Sequence, residues 1–352
     1  MPDWTKSMTQ TFEYYTVDPN TWKDVKKLDT VKSSTINRDS DTDTLGSASF
    51  DVTELVDECH VRVYLITIQN GIREKHPLGT FLVQTPSSSF DGKVRSASMD
   101  AYTPLIELKE KQPSLGYSIL KDENVMERAY QIIRENARAP VVQSYSDENL
   151  AYDFVANTED TWVTFLSDLL YSIKYSLGLD EIGRILFIPD QDLASMQPVW
   201  TFNDDNSSIL HASVSTDHDI FGIPNVVEVV YSGTYDTYHV TVRNDDPNSP
   251  VSTINRGREI PYRDTNPNLA GEATEAMVKE YANRLLKQLS TVQYTISYTH
   301  GYCPVRLGDC VRLNYERAGI IDVKAKVISQ NIKCEQGCPV SEKAIFTKNL
   351  WG

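Results

Sequence analysis

Several features that mark an enzyme, a membrane protein or a nucleic-acid binder are missing from this sequence. It contains no run of about 18 apolar residues, so no transmembrane helix is expected. The opening residues, Met1-Pro-Asp-Trp-Thr-Lys6, are polar, and no secretory signal is expected there. Basic clusters are absent, and 34 Lys and Arg are outnumbered by 49 Asp and Glu, a net charge of −15. Gripping nucleic acid through its phosphates requires grouped cations, so this chain is a poor candidate for that role. An acidic chain fits a surface that repels a passing phosphate backbone, or simply a soluble acidic exterior. None of the six histidines lies in a Gly-x-Ser-x-Gly or His-Glu-x-x-His context. Walker and Gly-x-Gly-x-x-Gly loops are missing too, and no enzymatic activity is expected.

Cysteine is scarce and oddly placed. The five are Cys59, Cys303, Cys310, Cys334 and Cys338, an odd number that argues against a secreted disulfide scaffold. Four gather near the C-terminus, with His300 three residues before Cys303. Cys334 and Cys338 flank Glu-Gln-Gly, a tight turn able to act as a metal knuckle. Cys303 and Cys310 are spaced more widely than the two to four residues of an ordinary zinc knuckle. Cys303, Cys310, Cys334 and Cys338 are therefore candidate ligands for zinc or an iron–sulfur cluster. The alternatives are four small buried hydrophobes or a Cys334–Cys338 disulfide. Asp217-His218-Asp219, Asp204-Asp205 and Asp245-Asp246 read as solvated loops, since none has calcium-loop spacing.

What is present is a helix followed by strands near the C-terminus. From 272 to 290, Ala273, Met277, Tyr281, Leu285 and Leu289 recur at four-residue spacing, which predicts one apolar helix face. Gly271 and Pro267 punctuate its start. Val292, Tyr294, Ile296 and Tyr298 then alternate with polar residues, the pattern of a half-buried strand. Cys310–Tyr315, Lys324–Ile332 and Ala344–Thr347 continue it. Earlier, Val61–Ile68 and Gly79–Gln84 form a hairpin joined near Asn70-Gly71, a type I′ turn signal, and Asp91-Gly92 marks another turn. Residues 33–46 are polar and read as a loop. The middle predicts a helix from Asp122 through Arg138, with Val125, Ala129, Ile132 and Ile133 on one face. A second helix carries Trp162, Phe165, Leu166, Leu169, Leu170, Ile173 and Leu177, capped near Asp160 and stopped at Gly178. Residues 181–188 follow as a buried strand. Pro224–Tyr231 and Thr237–Val242 are further strands, and Pro261 confines its segment to a sheet edge.

The helix ending Leu-Leu-Lys-Gln-Leu289, the alternating strand, the Pro304…Leu307-Gly308-Asp309 turn and the closing Val340-Ser-Glu-Lys343 hairpin resemble the last barrel of bacteriophage tail hub proteins. The Gly79-Thr-Phe-Leu-Val83 hairpin is similar to the first barrel of that family. The resemblance implies an α+β, mainly β chain: a β-barrel domain at 1–112, a mixed α/β insert at 113–222 and a second barrel at 223–352 with helix 272–290 packed on it. It implies a structural hub, a homotrimeric ring that joins a sixfold tail tube or distal tail protein to a threefold spike or central fibre. DNA would pass through the lumen without specific binding. The location implied is the tip of the virion, with assembly in the host cytoplasm. Some relatives hold a metal cluster at the tip. Two other readings stay open, a carbohydrate- or receptor-binding β-sandwich and a secretion-system spike hub. The Tyr-rich strands, with Tyr231, Tyr235, Tyr238, Tyr294, Tyr298 and Tyr302, are candidates for subunit contacts or for ordinary strand packing.

Overall fold

The structure, a computed structural model, describes residues 2–93, 95–205, 208–267, 269 and 273–351. Gly271 and Glu272, expected at the start of the long helix, lie outside the described residues. Two compact units form, Met1–Val214 with Ser297–Ala344, and Ser215–Ile296 with Ile345–Gly352. In chain order the strands are β1 (Thr9–Val17), β2 (Asp24–Lys27), β3 (Val31–Asp39), β4 (Gly46–Val52), β5 (His60–Gln69), β6 (Ile72–Phe90), β7 (Arg95–Tyr102), β8 (Ser118–Ile119), β9 (Phe154–Val155), β10 (Tyr175–Leu179), β11 (Ile185–Pro189), β12 (Trp200–Asn203), β13 (Leu210–His218), β14 (Val226–Ser232), β15 (Thr237–Arg243), β16 (Pro261–Asp264), β17 (Thr291–Gly301), β18 (Cys310–Tyr315), β19 (Ile320–Lys333) and β20 (Pro339–Asn349). The helices are α1 (Ile106–Lys109), α2 (Val125–Asn136), α3 (Trp162–Tyr171), α4 (Thr253–Arg256) and α5 (Glu275–Leu289).

A large, mostly antiparallel sheet runs β2-β1-β5-β6-β7-β4-β3-β19-β20-β17-β13, with β18 on β19 and β12 parallel to β18. The chain is mainly β, as the sequence predicts. This strand order is open, and no closed barrel is found among the described residues, where two were expected. The β5–β6 hairpin turns at Asn70 and Gly71, with φ of 51° and 77°, the double positive φ that a type I′ turn demands. β5 pairs with β1 and β6 and is buried along nearly its whole length, on both faces.

Residues 33–46, expected as a loop, are mostly strand. β3 pairs β4 on one side and β19 on the other. Its Ser, Thr and Asn content hides the alternation, but Ser34 and Ile36 face inward at 6% and 0% exposure. The polar inward group is satisfied, since Ser34 Oγ lies 3.0 Å from Tyr14 Oη.

The middle segment of the first unit builds its own core from α2, α3, β10 and β11, around Ile119, Ile133, Phe165, Leu169 and Ile185. Burying each such side chain contributes roughly 1.5–3 kcal/mol. Asn124, rather than Asp122, caps α2 by accepting from the Glu127 amide. Thr161, rather than Asp160, caps α3 in a reciprocal capping box with Thr164. Helix α3 also ends earlier than expected. Lys174 sits at φ 60°, breaking the helix, and Leu177 and Gly178 belong to β10. A Cβ on Gly178 would strike the Ile188 side chain, so the residue expected to stop a helix instead allows close strand pairing.

The second unit packs α5 on the three-stranded sheet β15-β14-β16. Alternation turns Val227, Val229 and Tyr231 of β14, and Val240 and Val242 of β15, into one core. Its helical partners are Val278, Ala282 and Leu286, flanked by Tyr281, Leu285 and Leu289. The apolar face is therefore rotated by one residue from the expected row, and Met277 is 42% exposed. Both rows repeat every four residues, so spacing alone does not choose between them. β16 has one partner, β14, as the edge-confining Pro261 predicts.

Candidate functional site

In the first unit a line of polar side chains crosses four neighbouring strands inside the core. Tyr298 and His300 come from β17, Glu342 from β20, Gln330 from β19 and Arg38 from β3. Exposure is 3% for Tyr298, 0% for His300, 2% for Gln330 and 1% for Glu342. Strand alternation explains the line, because these residues share the inward parity of their strands with Val340, Ile296 and Ile332. Glu342 is the hub. Its Oε1 accepts from the Tyr298 hydroxyl and its Oε2 from Gln330 Nε2 at 2.6 Å. His300 Nε2 stands 3.3 Å from the same Oε2. Gln330 Oε1 accepts from Arg38 Nη1 at 2.9 Å, and Arg38 Nη2 donates to the Leu78 carbonyl at 2.6 Å. His300 Nδ1 faces the Gly301 carbonyl at 2.7 Å, which assigns a hydrogen to that nitrogen.

Cys303 Sγ lies 3.7 Å from His300 Nδ1, but that nitrogen carries its hydrogen toward the Gly301 carbonyl and is no base for the thiol. The thiol is also sealed. Cys303 is 2% exposed, and burial, reinforced by Glu342, pushes its thiol far above the ordinary range. Burial likewise holds the Tyr298 phenol well above its usual value, with Glu342 adding to the effect. A protonated thiol without solvent access is inert, so the chemistry of this cluster is cohesion.

The other predicted ligands, Cys310, Cys334 and Cys338, lie in the same unit and are buried. Cys310 Sγ donates to the Val311 carbonyl at 3.8 Å. Cys334 and Cys338 bracket the expected turn, where Gly337 and Cys338 have φ of 84° and 40°. Burial pushes the Cys334 thiol up to about 12 and raises Cys338 as well. All five cysteines are free. Among the described residues no group of three or more His, Cys, Asp or Glu side chains is placed to share an ion. The expected Gly308-Asp309 turn is present. Gly308 has φ 86° and Asp309 Oδ2 accepts from the Arg306 amide at 2.8 Å.

Of the candidate contact tyrosines, Tyr231, Tyr298 and Tyr302 are core residues, at 9%, 3% and 7% exposure. Tyr235 is 87% exposed. Asp204 is taken by Arg317 in a bidentate ion pair, and Asp245 accepts from Thr253. Asp217 and His218 close β13 and are exposed, as is Asp219.

Sequence reasoning missed Arg62. It sits at 4% exposure, donating to Thr80 Oγ1 at 2.8 Å, Asp24 Oδ1 at 2.9 Å and the carbonyls of Trp22 and Ile182. Trp22 Nε1 donates to the same Ile182 carbonyl at 2.8 Å. A charged residue inside the mostly apolar Val61–Ile68 run was the available signal, since a buried Arg must be paired.

No protein-family model and no curated protein matches the sequence. Solved structures do. A tail protein from Neisseria meningitidis matches with a TM-score of 0.61 at 13% identity, over 97% of this chain and 98% of that one. The 43 kDa tail protein of prophage MuSo2 from Shewanella oneidensis matches with a TM-score of 0.60 at 11% identity, over 96% and 98%. A chain of the Francisella PdpA–VgrG complex matches with a TM-score of 0.54 at 8% identity, over 97% of this chain and 58% of that one. The resemblance to phage tail hub proteins that the sequence carries is thus borne out in the fold.

Proposed function

We propose, from a fold shared along nearly the whole chain with phage tail proteins, that this protein is a structural, non-enzymatic component of a phage tail. The observation that carries this reading is the 97% and 98% mutual coverage with the Neisseria tail protein. The buried, inert state of the Cys303–His300 pair supports it from the chemical side. Its finer form is a hub. Two β modules, about 1–112 and 223–352, flank the 113–222 insert, and three copies make a ring whose heterologous contacts close by threefold symmetry. One face docks on the tail tube or distal tail protein and the other receives a spike or fibre. The net charge of −15 per copy suits a lumen through which DNA slides without adhering.

A second reading, the hub of a secretion-system spike, is supported by the match to the Francisella complex. Electron microscopy of particles from cells carrying this gene separates the two. Density for the chain at a tail tip, with a mass in solution of three copies, supports the hub. A stable monomer that is absent from purified particles refutes it.

A further inference from the structure

The second unit carries an open groove of about 610 Å³, lined by Asp217, Asp219, Ile223, Thr291, Gln293 and Thr295 together with Val292 and His218. Its volume falls within the roughly 300–1,000 Å³ of small-ligand sites. Strand alternation places Thr291, Gln293 and Thr295 in a row on one face of β17. Gln293 and Thr295 each both donate and accept hydrogen bonds, while the Thr291 hydroxyl is engaged with the Lys287 carbonyl and Asn349 Nδ2. Asp217 and Asp219 add acceptors, and no Lys or Arg lines the groove, so an anion has no counter-charge there. Among the described residues no three metal-ligating side chains converge, which removes a chelated cation.

The walls are braced. His218 stacks on Tyr294 at 4.4 Å between ring centroids, and Tyr294 on Phe346 at 5.2 Å. Beneath lies a small core of Val251, Val292 and Leu350, joined by Ile220 and Ile223. The Asp219 carboxylate accepts from the Phe221 amide at 2.7 Å, fixing the loop that carries Phe221 at 92% exposure between two lining residues. Neutral donor–acceptors on β17 and flanking carboxylates together suit a neutral polyhydroxylated ligand, whose hydroxyls need both kinds of partner.

We propose that this groove is a saccharide-binding site, a property separate from the tail role. The test is saturation-transfer NMR on the full-length protein with chitotriose and maltotriose. Saturation should pass to the ring protons of at least one sugar. Gln293→Ala and Asp217→Asn, both exposed side chains, should each weaken binding about three- to tenfold, the loss of one net hydrogen bond. Asp192→Asn in the first unit should leave binding unchanged. The proposal is overturned if neither sugar receives saturation, or if transfer survives undiminished in the Gln293→Ala/Asp217→Asn double variant. It is also overturned if spermidine or calcium ion binds this groove while both sugars do not. None of these results bears on whether the chain sits in a tail.

Discussion

Glu342→Ala is the sharpest test of the buried polar line. The substitution deletes the acceptor for Tyr298 Oη and Gln330 Nε2 and the neighbour of His300 Nε2. Those groups have no route to water at 0–3% exposure. An unsatisfied buried donor costs about 1–3 kcal/mol, and removing one member of a buried polar pair costs about 3–5 kcal/mol. Relaxation of Gln330 toward the Val305 carbonyl, which it already contacts at 3.1 Å, offsets part of the loss. The expected net cost is about 3–5 kcal/mol. In a unit of more than 150 residues each kcal/mol lowers Tm by about 2–4 °C, so a fall of roughly 6–20 °C is expected. Urea unfolding followed by circular dichroism measures the same quantity through the shift in midpoint. Glu342→Gln, which keeps one acceptor and the volume, should recover most of it. A loss below about 1 kcal/mol for Glu342→Ala would refute the view that this line fastens the four strands.

Four further outcomes are expected. Arg62→Met should destabilise by about 1–3 kcal/mol, because the buried Trp22 carbonyl and Thr80 Oγ1 lose this donor while Asp24 keeps Tyr64 and Lys75 and the Ile182 carbonyl keeps Trp22 Nε1; a chemical melt unchanged within error contradicts this. Gly46→Ala should be costly, about 1–3 kcal/mol, since Gly46 has φ 141° and a Cβ would run into the Asn37 carbonyl oxygen; wild-type stability would show that β3 and β4 shift freely. His60 is pulled down to about 4 by burial, with Arg138 and Arg62 adding repulsion. The unfolded chain therefore binds the extra proton first, and about 3 kcal/mol of stability present above pH 6.5 is lost as pH falls toward 4. His60→Phe should flatten that slope. Ellman's reagent should find at most one reactive thiol in the native protein, Cys59, and five in urea, while elemental analysis for zinc and iron tests the metal reading of the other four.

Helices α2 and α3 and the β5–β6 hairpin were legible because their signals are local. The stripe Val125, Ala129, Ile132 and Ile133 and the Asn70-Gly71 turn act within a dozen residues. What escaped depends on partners distant in sequence. β3 looks like a loop because Ser34 is stable in a core only when Tyr14 meets it. The end of α3 was misplaced because Leu177 suits a helix stripe and a strand equally, and β11 decides between them. The row of α5 facing the sheet is chosen by Val229 and Val242, not by the helix. For the site, the Cys303–Cys338 set was visible as residues but not as environments. Glu342, Gln330 and Arg62 gave no motif, since their roles exist only when four strands or a distant turn meet them.

The seating of β3 between β4 and β19 has a consequence for synthesis. Arg38 and its partner Gln330 are 292 positions apart. At about 5–20 residues per second, the ribosome delivers β19 roughly 15–60 s after β3 has emerged. For that interval the nascent N-terminal half exposes the backbone of β3 to whatever strand comes near. A trigger-type chaperone, or rapid arrival of the C-terminal strands, decides whether the polypeptide matures or clumps.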